Sequence, residues 1–302
     1  MKSPLISIVM NCFNSDKYLK DAIDSVYAQT YKNWEIIFWD NASTDKSSSI
    51  AKSYDDKLKY FYSDETTSLG KARNLALKKV KGEFISFLDC DDLYFPEKLK
   101  IQIELMLSRN YVMSYGSAII INDKGNEKKK LKVSNKSGYI FGNLLMHYEI
   151  NMQSVMVNSS FLSKNNLNFA ENLKYCPDYN LFMEISSRSK IGVLKDFLVK
   201  YRVSDNSLSR STLDIVSTEI KFTLDNILPM QPELRLQLSR EFNIAYKKLH
   251  YYDAIAAIYK DDRNLARKKL KPIIYSRIIY FVIYLVLFIP LPKKIFLKAL
   301  GR

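Results

Sequence analysis

Phe84-Ile85-Ser86-Phe87-Leu88-Asp89-Cys90-Asp91-Asp92 is an apolar run that ends in three carboxylates within four positions. The apolar part is short and nearly continuous, which reads as a strand buried on both faces. The acids then stand at its carboxyl end. Crowding them is costly without a cation, and carboxylate oxygens suit Mg2+ or Mn2+, ions able to bridge two phosphates. Taken alone, the same run also reads as a solvated acidic turn ahead of a helix opened by Pro96.

Upstream, the pattern repeats. Leu5 to Met10 is a β-branched apolar run followed by Asn11-Cys12-Phe13-Asn14, and Trp34 to Trp39 is followed by Asp40-Asn41. Between them, Tyr18, Leu19, Ala22, Ile23, Val26 and Tyr27 make a stripe of helical period behind an N-cap at Ser15 or Asp16. A weakly apolar helix after Asp40 to Asp45, a strand over Lys59 to Tyr62 and a helix over Leu69 to Val80 continue the alternation. Strands alternating with helices imply right-handed parallel crossovers, so an α/β, doubly wound, mainly parallel sheet is expected. Ligands bind such sheets beyond the carboxyl ends of the strands, and the three polar clusters should converge on one crevice there. Asp40-Asn41 is either a turn or a side-chain acceptor able to read the edge of a base. Ser68 to Asn74 sets Gly70 at a helix start with Lys71 and Arg73 in the first turns, a phosphate site or simply a solvated basic face.

Downstream, helix is expected over Pro96 to Leu107, strand over Val112 to Ile121 with a turn at Asn122 to Gly125, and solvated loop at Lys128-Lys129-Lys130. Gly138 to His147 and Asp178 to Arg188 read as helical, Asn151 to Val157 and Val193 to Tyr201 as extended, and everything from Ser211 as helix after helix. The expected organisation is an α/β domain over 1–210, in two parts, 1–110 and 111–210, then a helical extension over 211–302. Its last part, 260–302, is a basic, apolar tail.

The formal charge of +14 in 302 residues calls for an anionic neighbour. From Lys260 onward there are eleven Lys or Arg against Asp261 and Asp262, so the tail supplies +9 of it. No aromatic-basic RNA-binding signature or zinc-finger spacing accompanies the charge, which argues against nucleic acid and for a membrane surface. Ile278 to Ile289 is almost wholly apolar between Arg277 and Lys293-Lys294, short of the roughly 20 residues that span a bilayer. It reads as an interfacial helix, with a buried helix and a true span as the other readings. Cys12, Cys90 and Cys176 are unpaired in spacing and fit a reducing compartment, and the first apolar run is too short for a signal peptide. A cytoplasmic protein, peripheral at the inner face of the membrane, is expected. His147 and His250 are the two histidines and read as structural or exposed.

Taken in order, these segments resemble the family 2 glycosyltransferases of the GT-A fold. The residues carrying the resemblance are Ile6 to Asn14, Gln29-Thr30-Tyr31, Trp39 to Asp45, Gly70 to Asn74 and Asp89 to Asp92, with Cys176 to Phe182 and Tyr201 to Ser207 farther along. The resemblance implies a nucleotide-diphospho-sugar donor whose base is lined by Asn11, Phe13, Asp40 and Asn41, with Asp89 at the ribose. It implies Asp91 as ligand of Mg2+ or Mn2+, Arg73 and Arg202 near the phosphates, and Asp178 as the base that takes the acceptor's proton. One base and a metal-held leaving group on opposite faces of the sugar imply inversion at the anomeric carbon. Three positions depart from the family pattern: Asn41 stands for a second aspartate, Pro177 for an acid, and Ser204 for a histidine. The tail points to a saccharide or polyprenyl-linked acceptor at a membrane, on the way to a surface polysaccharide. Two rivals are a non-catalytic binding or assembly subunit of the same fold and a sugar nucleotidyltransferase, although Asn11 to Asn14 lacks the latter's glycine-rich basic loop.

Overall fold

The computed structural model describes residues 3–203 and 215–289. They fall in two compact units, 1–205 and 206–302. In the first, β1 (Ile6–Cys12), β2 (Trp34–Asp40), β3 (Leu58–Tyr62) and β4 (Phe84–Phe87) pair in parallel in the order β3-β2-β1-β4. Helices α1 (Asp16–Tyr27), α2 (Ser47–Lys52) and α3 (Leu69–Leu77) connect them. The rest of the unit adds β5 (Leu93–Tyr94), α4 (Lys98–Arg109), β6 (Met113–Ile121), β7 (Glu127–Leu131), α5 (Phe141–Met146), β8 (Met156–Asn158), α6 (Ser159–Lys164), α7 (Pro177–Arg188) and β9 (Ile191–Arg202).

Period-two alternation sorts β1 and β2 between two layers. Ile6, Ile8, Met10 and Cys12, with Trp34, Ile36 and Phe38, join Leu19, Ala22, Ile23 and Val26 of α1 and Leu99, Ile103 and Met106 of α4 in one core. On the other face Phe87 meets Phe169 edge-on at 5.6 Å and Phe182 at 6.2 Å. All three rings are fully buried, worth roughly 1.5–3 kcal/mol each relative to exposure. The Gln29-Thr30-Tyr31 segment has a structural reason. Buried Gln29 donates from Nε2 to the Phe95 carbonyl at 2.9 Å and accepts the Leu99 amide at 3.1 Å, locking the end of α1 to the start of α4.

The sheet is α/β as expected but mixed. β8 runs antiparallel between β4 and β6, β9 lies parallel to β6, and β5 and β7 pair antiparallel with β9 and β6. Three local expectations need correction. Lys128-Lys129-Lys130 is strand β7 rather than loop, because its backbone pairs with β6 while the charged side chains stay in solvent. Asn151 to Val157 begins as a 3-10 turn, Met152–Ser154, since the Asn151 side chain caps the Gln153 amide. Pro96 precedes α4 instead of opening it, its carbonyl taken by the Thr30 amide at 3.0 Å.

The second unit carries helices Val216–Met230, Pro232–Gln237, Ser239–Tyr259, Arg263–Leu270 and Ile278–Val286. Ala254, Ile255 and Ile258 pack with Ala266, Leu270, Tyr280, Ile283 and Leu287 in its core. Among the described residues no helix is long and apolar enough to cross a membrane. Residues 204–214 and 290–302, with Ser204 to Ser207 and the last lysines of the tail, lie outside the described residues.

Candidate active site

The register fixes where the polar clusters stand. Asn11 pairs with Trp39, Cys12 with Asp40 and Val9 with Phe87, so the carboxyl ends of β1, β2 and β4 are neighbours. After β4 the Leu88 amide still reaches the Val9 carbonyl, and the Asp92 amide turns back onto the Asp89 carbonyl. This turn separates the three acids. Asp92 is buried and accepts the Arg202 amide at 2.7 Å. Arg202 is buried as well. Its guanidinium donates to the Asp91 carbonyl at 2.9 Å and to the Asn122 and Asp123 carbonyls at 2.9 and 3.2 Å, and lies 4.0 Å from the Tyr18 ring centre. Arg202 thus clamps the acidic turn to the β6–β7 turn. Asp91 keeps an exposed side chain whose carboxyl is pushed up to about 6 by lost solvation and by the charge of Asp89.

Asp89 is held from both sides: Gln153 Nε2 donates to Oδ2 at 2.5 Å, and Arg73 stands 3.7 Å from Oδ1. Both holders are buried. Arg73 sits over the Phe169 ring at 5.3 Å, so it pairs with Asp89 from inside the wall rather than from a solvated helix face. Helix α3 is fixed there by Asn74, which exchanges two 2.9 Å bonds with the Phe169 backbone. Gly70 makes the close approach possible, since a Cβ would lie 2.7 Å from the Ala170 carbonyl oxygen.

At the end of β1, Phe13 is 51% exposed and Asn11 keeps an unpartnered Nδ2. The Cys90 thiol donates to the Asn11 carbonyl at 3.3 Å, tying the end of β1 to the acidic turn. Asp40 and Asn41 are buried, with their polar atoms already engaged. Asp40 accepts the Ser43 amide at 2.8 Å and the Tyr60 hydroxyl at 2.7 Å, while Asn41 brackets the Thr67 backbone and accepts its hydroxyl. They hold the loops that follow β2 and β3.

Asp178 lies in the first turn of α7, behind Pro177. Burial raises its carboxyl above the ordinary value, Arg73 pulls it back down and Asp89 pushes it up, so the three groups share one field. Beside it, the Tyr148 ring meets Tyr179 at 4.7 Å and its hydroxyl is buried without a partner. Arg73 Nη1, Gln153 Oε1 and Asp92 Oδ2 are also buried and unpartnered. Unsatisfied buried polar atoms are uncommon in folded proteins, and several of those in this chain stand around Asp89 and Asp178.

The profile described as Glycosyl transferase family 2 matches residues 7–165, more than half of the chain. This chain is a family 2 glycosyltransferase. An uncharacterized glycosyltransferase of Rickettsia typhi is 36% identical over 225 residues, 70% of this chain and 68% of that one. The Escherichia coli protein WfgD, named a UDP-Glc:alpha-D-GlcNAc-diphosphoundecaprenol beta-1,3-glucosyltransferase, is 30% identical over 69% of this chain and 81% of its own length. TarS of S. aureus, solved with UDP-GlcNAc, shares the GT-A fold with a TM-score of 0.68 at 19% identity, over 88% of this chain and 80% of that one.

In this glycosyltransferase, among the described residues, no three His, Cys, Asp or Glu side chains gather as a metal cage. A cage is not what Mg2+ or Mn2+ needs when substrate phosphates complete its shell; one or two carboxylates suffice. The exposed carboxylate of Asp91, crowded by Asp89, fits that requirement. Gln153 and Tyr148, which stand beside Asp89 and Asp178, are the members of this cluster that sequence reading missed. Neither stands in a charged or glycine-marked motif, and only the pairing of β8 between β4 and β6 carries their segment to Asp89.

Proposed function

We propose that this chain moves a sugar from a nucleoside-diphosphate donor to a hydroxyl of a saccharide or polyprenyl-linked acceptor, with inversion at the anomeric carbon. The observation that supports this most directly is the buried Arg73 guanidinium, which stands 3.7 Å from Asp89 and whose charge also lowers the Asp178 carboxyl. Asn11 and Phe13 take the base, within loops that Asp40 and Asn41 shape. Asp89 meets the ribose, and Arg73 contributes positive charge behind the diphosphate. Arg202 acts on the phosphates indirectly, by holding the turn that presents Asp91. A Mg2+ or Mn2+ ion at Asp91 would neutralise the diphosphate as it leaves.

Asp178 accepts the proton of the acceptor hydroxyl while that oxygen attacks the anomeric carbon. The bond from the anomeric carbon to the diphosphate oxygen breaks, and its electron pair leaves with the diphosphate. A raised carboxyl suits this task, since a base works best with a pKa near the working pH. WfgD's name places its acceptor on diphosphoundecaprenol. By that likeness we read the acceptor here as lipid-linked and the role as assembly of a surface glycoconjugate. On this reading 1–110 serves the donor, 111–210 the acceptor, and 211–302 brings the enzyme to the cytoplasmic face of the membrane.

The test is calorimetric titration of UDP-, GDP- and dTDP-sugars, with and without Mn2+, into the intact protein and Asp91→Ala. One nucleotide class should bind in a metal-dependent way and lose that dependence in the variant. Absence of binding to every donor would argue for a non-catalytic subunit, and a product of retained anomeric configuration by NMR would end the inverting mechanism.

A further inference from the structure

Helix Ile278–Val286 is apolar on two sides, and its core contacts use one of them. Tyr280, Ile283 and Leu287 recur at helical spacing and are buried against Ala254, Ile258 and Leu270. Ile278, Phe281, Val282 and Leu285 make a second stripe, continued by Phe288 and Ile289, and all six are exposed, Ile278 to 83%. Scattered exposed apolar residues are ordinary, but a contiguous stripe of large ones marks a surface that something covers.

Two observations name the cover. The nine residues of the helix are about 14 Å long, less than half of a hydrocarbon core, so the stripe suits a helix lying in a bilayer surface and not one crossing it. The chain leading into the stripe, from Arg263 to Arg277, carries Arg263, Arg267, Lys268, Lys269, Lys271 and Arg277 with no acid. Of these, Lys268, Lys271 and Arg277 are exposed, while Arg263 and Arg267 donate to the Ile289 and Leu287 carbonyls and hold the end of the stripe in place. Anionic lipid complements this charge, whereas a neutral protein face does not.

We propose that the outer stripe of this helix docks the enzyme monotopically on an anionic bilayer, its inner stripe remaining packed in the helical unit. The inference extends the reading of a membrane-borne acceptor, yet it is measured without catalysis. The protein is pre-anchored in shape: no folding step on the membrane is needed, because the helix is already seated on its own unit.

Flotation of the full chain with phosphatidylcholine vesicles, with and without phosphatidylglycerol, tests it. Binding is expected to the phosphatidylglycerol vesicles and to weaken as salt rises. Phe281→Ser with Leu285→Ser should abolish it without changing the circular dichroism spectrum or the nucleotide-sugar affinity, since both side chains are exposed. Lys271→Gln should weaken it about fivefold. No binding by the wild type, or equal binding by the double variant, would overturn the proposal. So would a wild-type dimer in light scattering that the double variant turns into a monomer, because a second copy would then be the cover. A protein that floats normally yet binds no sugar nucleotide would leave this docking standing and remove the catalytic reading instead.

Discussion

At the scale of single residues, Asp178 carries the sharpest expectation. Asp178→Asn should lower kcat by about 10²–10⁴ while leaving donor affinity near its wild-type value. A base must be deprotonated to act, and burial raises this carboxyl, so activity should fall away with decreasing pH through a value above the ordinary carboxylate range. Removing the Arg73 cation takes away the influence that lowers it. Arg73→Gln should therefore move the acid limb of the kcat/KM profile to higher pH, in addition to any loss in donor binding. Gln153→Leu leaves Oδ2 of Asp89 without its donor and frees the carboxylate to rotate, so KM for the donor should rise by about 10- to 100-fold, as a lost hydrogen bond to a charged group costs roughly 1.5–3 kcal/mol. Steady-state kinetics with varied donor reads both effects. Asp40 and the Asp89 to Asp92 cluster were legible in the sequence because each closes an apolar run, while Asp178 was reached only through the family resemblance. How they are oriented was not: Gln153 reaches Asp89 across 64 positions, and Arg202, named from the resemblance only as a phosphate contact, reaches the Asp91 carbonyl across 111, distances over which local pattern carries no signal.

Among elements, α4 holds a group that catalysis does not use. Lys98 is fully buried, its Nζ donating to Ser86 Oγ at 2.6 Å under the ring of Tyr94, and burial holds its pKa well below 10.5. Between that lowered value and 10.5 the unfolded chain binds a proton that the folded one does not, so stability should rise with pH across this interval. Urea midpoints measured over pH should show that rising limb in the wild type and lose it in Lys98→Met, which should also be the more stable protein at neutral pH. Nothing in the local sequence around Lys98 sets it apart from its charged neighbours Glu97 and Lys100; only the third dimension puts it inside. The first four strands were readable because each is an apolar run with a polar stop. β5 was not, being two residues long, and β8, three residues long, was read only as the end of a longer extended stretch. β7 was misread because three lysines look like loop, although an edge strand tolerates and even favours charge that keeps other strands away.

For the molecule as a whole, the division at 205/206 makes a direct prediction. A fragment of residues 1–205 should fold, bind the sugar nucleotide that the full chain binds, and fail to float with anionic vesicles. The bipartite plan was visible in the placement of charge and in the change from alternating strands to successive helices, whereas the two-sidedness of the last described helix was not, because both of its faces are equally apolar in sequence. Within the first unit lies a constraint of another kind. Gly70, Asn74 and Ser68 grip the backbone of residues 169–171 so closely that α3 and that segment form one seam. Relatives that exchanged acceptor specificity by recombination would have to inherit both lips of that seam together. A chimera joining residues 1–110 of this protein to the latter half of a relative should express in soluble form only where the incoming backbone at 169–171 accepts glycine at 70 and asparagine at 74, so modularity in this enzyme is licensed by three short side chains.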